Sequence, residues 1–168
     1  MFSYDDLLTS SAHVATGLLA GRDDLEGARI CYLVPPGWAH AAVQWGIWRA
    51  GGVAVPMAIS HPVAELEYML DDANPEVIVV HPSFAERLKE AANQRSLSLL
   101  QTPVLLSPRL TAELPDVDEA TSALMLYTSG TTGRPKGVIL RHENIRAQVE
   151  SLTEAWDWSD KDHILLHL

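Results

Sequence analysis

Residues 123–140 read Ala123-Leu124-Met125-Leu126-Tyr127-Thr128-Ser129-Gly130-Thr131-Thr132-Gly133-Arg134-Pro135-Lys136-Gly137-Val138-Ile139-Leu140. Two short apolar runs, 123–127 and 138–140, have the length and composition of buried strands. The loop between them holds four hydroxyl side chains, three glycines and two cations. Glycine lets backbone N–H groups turn toward a ligand with no Cβ in the way. Successive N–H groups in such a turn form a concave anion site. The hydroxyls add donors, and Lys136 adds a compact positive charge suited to phosphate. The loop over 127–137 therefore reads as a polyphosphate grip.

The common phosphate loop is excluded. Its G-x-x-x-x-G-K-[ST] pattern puts lysine directly after glycine and a helix after that. Here Pro135 precedes Lys136, Gly137 follows it, and a strand pattern comes next. The alternative is an ordinary hairpin rich in turn formers, since Gly and Thr are common in loops.

Outward from this stretch, strand and helix patterns alternate. Ser3, with Asp6 three residues on, predicts a capping box. Behind it Tyr4, Leu7, Leu8, Ser11, Val14, Ala15, Leu18 and Leu19 recur at helical spacing up to Gly21. Ala28 to Val34 reads as a buried strand stopped by Pro35-Pro36-Gly37. Trp38, Ala41, Ala42, Trp45 and Trp48 form a stripe on a second helix, which Gly51-Gly52 ends. An aromatic stripe at that spacing is read as core packing rather than a ligand platform. Val53 to Pro56 is a short strand, and Pro62 is placed as the first residue of a helix with Leu66, Met69 and Leu70 inward. Glu76 to Val80 is a strand, Ser83 caps a helix carrying Phe84, Leu88, Ala91 and Ala92, and Val104-Leu105-Leu106 is a further strand candidate. Residues 107–122 read as an exposed connection. After the loop, His142 to Trp156 is a helix with Ile145, Val149 and Leu152 on one face. Trp158 to Asp162 is a turn, and His163 to Leu168 an apolar run. The alternation predicts an α/β fold with a largely parallel sheet and right-handed crossovers.

Composition narrows the function. The 168 residues suit one domain or a large piece of one, and 47% of them are hydrophobic, enough for a core. Twelve basic against 22 acidic residues leave a net charge of −10, which disfavours a general nucleic-acid or anionic-membrane binder. No apolar run approaches the roughly 20 residues that span a bilayer. The start, Met1 to Asp6, lacks the basic region and apolar core of a signal peptide. A lone cysteine, Cys31, favours a reducing, cytoplasmic setting and reads as a core residue.

Other chemistries fit poorly. His142-Glu143 opens the zinc-peptidase pattern H-E-x-x-H, but its fifth position is Arg146. On a strand, His163 and His167 would lie about 13 Å apart, too far to share a metal, and no metal ligand set is expected. Ser129 lacks the G-x-S-x-G elbow of a serine hydrolase. Asp23-Asp24 and Asp71-Asp72 read as solvated carboxylates.

The run Thr128 to Gly137 resembles, at every position, the T-S-G-T-T-G-x-P-K-G signature of the adenylate-forming (AMP-dependent) acyl-CoA synthetase family. Ala50 to Pro56 resembles that family's A-G-[AG]-V-x-V-P segment, and Glu65 to Asp72 the helix that follows it. Arg141-His142-Glu143-Asn144 is similar to its S-H-x-N, with Arg141 in place of serine. Asn144-Ile145-Arg146-Ala147, Trp156-Asp157-Trp158 and Ile164 to Leu168 look most like its malonyl- and methylmalonyl-CoA synthetase branch.

The resemblance implies a two-step ligase that uses ATP, Mg2+, a carboxylic acid and coenzyme A. Thr128, Ser129, Gly130, Thr131 and Thr132 would bind the β- and γ-phosphates, and Gly133 and Gly137 would let the loop fold over them. Lys136 would neutralise the leaving pyrophosphate, while Arg134, at the variable position, would face solvent. The family's magnesium-binding glutamate, ribose-binding aspartate and C-terminal lysine have no counterpart in the sequence. Residues 1–168 are thus expected to be an incomplete N-terminal domain, inactive alone. An unfinished sheet edge could drive oligomer formation. The alternative is a non-catalytic nucleotide- or phosphate-binding module.

Overall fold

A computed structural model describes residues 2–128 and 134–162. Helix α1 (Tyr4–Leu19) starts from the expected capping box: Asp6 N–H donates to Ser3 Oγ at 3.1 Å, and Ser3 N–H donates to Asp6 Oδ2 at 2.8 Å. Those bonds to Ser3, its backbone N–H foremost, hold the Asp6 carboxyl below its usual range. Then come β1 (Arg29–Leu33), α2 (Trp38–Arg49), β2 (Val53–Pro56), α3 (Val63–Ala73) and β3 (Val77–Val80). A 3₁₀ turn (Pro82–Phe84), α4 (Ala85–Gln94), β4 (Ser98–Gln101), α5 (Thr102–Leu106), β5 (Ser122–Thr128), β6 (Lys136–Arg141) and α6 (His142–Ala155) follow.

The strands form one sheet in the order β4-β3-β1-β2-β5-β6. All neighbours are parallel except β5 and β6, which run antiparallel. This is the expected α/β class. Because strand side chains alternate faces, β1 feeds two cores. Cys31 and Leu33 pack toward α3 and α4, against Leu66, Met69, Leu70 and Leu88. Ile30 and Tyr32 pack on the opposite side, against Val14, Leu18 and Leu19 of α1 and Val43 and Ile47 of α2. Around β1 the sheet is thus covered on both faces, as parallel sheets are. Cys31 is fully buried, and that burial pushes its thiol up to about 12.

Several expectations are corrected. The stripe on α2 is core only in part: Ala42 is buried and Trp48 packs half-buried against the α1–α2 core, whereas Trp38 and Trp45 are half-buried outside it; the fully buried residues of α2 are Ala42, Val43, Gly46 and Ile47. The cause is the close approach of α1: a Cβ on Gly46 would stand 2.5 Å from Val14 Cβ. That crossing has no room for an indole, so the rings flank it. Val104 to Leu106 is helix, not strand. Pro103 sets a helical φ in its first turn, and Leu105 is buried against the α1–α2 side. The strand lies just upstream, at Ser98-Leu99-Leu100-Gln101, where edge position leaves no residue fully buried and so no apolar run. Pro62 caps α3 rather than entering it, and Ser83 lies inside the 3₁₀ turn instead of capping α4, whose N-cap is Phe84.

Strand β6 forms where expected but is not buried: Val138 and Ile139 are 44% and 45% exposed. It is the last strand of the sheet, and among the described residues no further strand pairs with its outer edge. No residue of α6 is fully buried either. The connection 107–122 is exposed or half-exposed throughout, as expected. The apolar run 163–168, with His163 and His167, lies outside the described residues.

Candidate phosphate-binding site

The parallel strands deliver their carboxyl ends to one edge, where open α/β sheets bind ligands. Thr128 closes β5 there and Lys136 opens β6, directly opposite each other in the antiparallel ladder. Opposed residues in such a pair share a face, with Cβ atoms about 5 Å apart. Thr128 and Lys136, both exposed, therefore present a hydroxyl and a cation on one face of the hairpin. Tyr127 opposes Gly137 on the other face, toward α3. Ser129, Gly130, Thr131, Thr132 and Gly133, the centre of the expected phosphate grip, lie outside the described residues.

The stems of the loop are fastened to α3. The Tyr127 hydroxyl donates to Asp72 Oδ2 at 2.7 Å, and the Tyr68 hydroxyl donates to the Pro135 carbonyl at 2.9 Å. The two rings meet edge to face, with centroids 6.4 Å apart. Burial, then the Asp72 carboxylate, pushes the Tyr127 phenol well above its ordinary value, so it stays a donor. Arg134 is exposed, as expected for the variable position, with its guanidinium 5.8 Å over the Tyr68 ring. Asp71 and Asp72 are exposed as expected, yet each has a partner: Arg95 makes a bidentate bond to Asp71. Gly137 has a packing role besides any in the loop, since a Cβ there would stand 2.1 Å from Met125 Cε.

Beside Tyr127 lies a cavity of about 500 Å3 at the ends of β1, β2 and β5, lined among others by His40, Met57, His61 and Leu126. Arg87 of α4 shapes one wall, donating to the Ile59 carbonyl at 2.6 Å and to the His61 carbonyl. His61 Nδ1 is buried and makes no hydrogen bond among the described residues. On the other wall His40 Nδ1 donates to the Val34 carbonyl at 3.0 Å. The sequence carries no signal for this cavity, nor for the tyrosine clasp, because both join residues more than fifty positions apart. Among the described residues no three His, Cys, Asp or Glu side chains converge on a metal position, and no helix is long and apolar enough to cross a membrane.

The arrangement suits an anion that carries an organic body: cationic and hydroxyl groups at the hairpin mouth, a mostly apolar cavity next to it. The profile of the AMP-binding enzyme family matches residues 1–168. The mitochondrial malonate–CoA ligase of Homo sapiens is 37% identical over 151 residues, covering 86% of this chain and 26% of that protein. The malonate–CoA ligase of Arabidopsis thaliana is 37% identical over 178 residues, covering 98% of this chain and 29% of that protein. The crystal structure of ATP-bound MatB from Rhodopseudomonas palustris superposes with a TM-score of 0.84 at 26% identity, over 96% of this chain and 34% of MatB. The chain thus spans between a quarter and a third of the length of these relatives.

Proposed function

We propose, from the premise that this chain belongs to the AMP-binding enzyme family, that it is part of an AMP-forming acid–CoA ligase. A carboxylate oxygen attacks the α-phosphorus of ATP, the bond to the β-phosphate oxygen breaks, and pyrophosphate leaves. The sulfur of coenzyme A then attacks the acyl carbon, and AMP departs. The observation that carries this reading is the pairing of Thr128 with Lys136 at the carboxyl end of the sheet, beside a cavity able to hold organic matter.

In this proposal Thr128, Ser129, Gly130, Thr131 and Thr132 hydrogen-bond the β- and γ-phosphates, and Gly133 and Gly137 let the backbone approach them. Lys136 offsets charge on the leaving pyrophosphate. Magnesium would arrive on the phosphates and neutralise charge there. Malonate or a related short acid is the proposed substrate, supported by the human and Arabidopsis relatives, which are malonate–CoA ligases by name. The acyl-CoA product belongs to fatty acid metabolism. Residues 1–168 are proposed to form an incomplete N-terminal domain, which the covered share of the relatives supports. A cytoplasmic location is part of the proposal, resting on Cys31 alone; the human relative is mitochondrial by name. Self-association through the exposed β6 edge is also proposed, supported by Val138 and Ile139 at the surface.

Calorimetric titration with Mg·ATP tests the site. The parent chain should bind, and Lys136→Ala should weaken binding about tenfold or more, the loss typical of a hydrogen bond to a charged group. Equal affinity in both would overturn the role of Lys136. With ATP, coenzyme A and malonate, the 168-residue chain should show no turnover; clear activity would overturn the incomplete-domain reading.

A further inference from the structure

The peptide just before Lys136 is held by Tyr68, which lies far upstream of the Thr128 to Gly137 run. The Tyr68 hydroxyl donates to the Pro135 carbonyl at 2.9 Å. A peptide unit is planar, so holding the Pro135 carbonyl oxygen orients the whole Pro135–Lys136 peptide and, with it, the start of the Lys136 side chain. Proline has no N–H to offer, so the carbonyl is the one backbone hydrogen-bonding group through which the protein can hold residue 135. The other end of the hairpin mouth is held from the same helix. Tyr127, one residue before Thr128, donates to Asp72, and Asp72 lies four residues after Tyr68. Positions i and i+4 share a helix face, so α3 grips both stems with one side.

The grip has a firm base. On its opposite side α3 buries Leu66, Met69, Leu70 and Ala73 in the core. The Tyr68 ring is itself held from two directions, by the Tyr127 edge and by the Arg134 guanidinium. Its hydroxyl thus meets the carbonyl from a ring with neighbours on two sides.

We propose that Tyr68 is a positioning residue for Lys136, acting through the Pro135 carbonyl to aim the phosphate-binding charge; this rests on the phosphate-binding reading of Lys136. Tyr68→Phe keeps the ring and both of its ring contacts and removes only the hydroxyl. Affinity for Mg·ATP, read by calorimetry, should fall about two- to tenfold, the worth of one ordinary hydrogen bond. In a Lys136→Ala background the same substitution should cost nothing further, because the group being aimed is gone. An equal loss in both backgrounds, or no loss in the parent, would overturn the proposal. Amide hydrogen exchange gives a reading independent of nucleotide. In Tyr68→Phe, exchange at Lys136 and Gly137 should quicken relative to the β1–β2 pairs, and unchanged exchange would overturn the proposal by itself. Should the parent chain bind no nucleotide, the phosphate reading fails, while the exchange result still decides whether Tyr68 holds this peptide.

Discussion

The Tyr127 hydroxyl donates to the Asp72 carboxylate at 2.7 Å across 55 residues of sequence. It fixes the strand that enters the candidate site to the helix that also holds the strand leaving it. Tyr127→Phe should lower the unfolding free energy by about 1 kcal/mol, the usual net worth of such a bond. Asp72→Asn should cost less, since the amide oxygen still accepts. Urea denaturation of both variants measures this, and an unchanged midpoint for Tyr127→Phe would show that the bond contributes nothing.

Gly46 should resist enlargement. An added Cβ would lie 2.5 Å from Val14 Cβ and 3.0 Å from the Ser11 carbonyl oxygen, and neither atom is the free end of a side chain. Overpacking of this kind costs about 1–3 kcal/mol, while alanine regains up to about 1 kcal/mol of helix propensity. Gly46→Ala should therefore be destabilising by about 1 kcal/mol in thermal or urea unfolding. A more stable variant would show that α1 and α2 can move apart freely.

The Cys31 thiol is fully buried and raised to about 12 by desolvation, so it should not react with a thiol reagent near neutral pH while the chain is folded. Labelling should follow the urea unfolding curve. Labelling in the absence of denaturant would mean that β1 opens locally.

Acid should destabilise the protein through His142. Its imidazole is held below the ordinary 6.5 by burial, with Glu119 pulling the other way. As pH falls through 6.5 the unfolded chain takes up a proton that the folded chain resists, so this contribution to stability is present above that value and lost below it. The urea midpoint should drop between about pH 7.5 and about pH 5.5, and the drop should shrink in His142→Gln. An identical pH profile in the variant would assign the acid sensitivity to other groups.

What the sequence determined by itself is whatever depends on neighbours along the chain. The Ser3–Asp6 capping box is local, and so is the apolar spacing of α1, α3 and α4. The turn residues of Thr128 to Gly137, with two cations among them, are contiguous, so the candidate loop could be named from the sequence alone. Only the tertiary structure decided what depends on distant partners. Burial is one such property: Val138 and Ile139 have the same apolar character as the core strands, yet lie exposed on β6, which among the described residues is the last strand of the sheet. The α2 face is another, since Gly46, not the tryptophans, had to meet Val14 once α1 crossed there. The same holds for the grip of Tyr68 on Pro135 and for the cavity between β1, β2 and β5. A hydrogen bond or a wall between residues dozens of positions apart leaves no periodicity in either segment, so it arises only when packing brings them together.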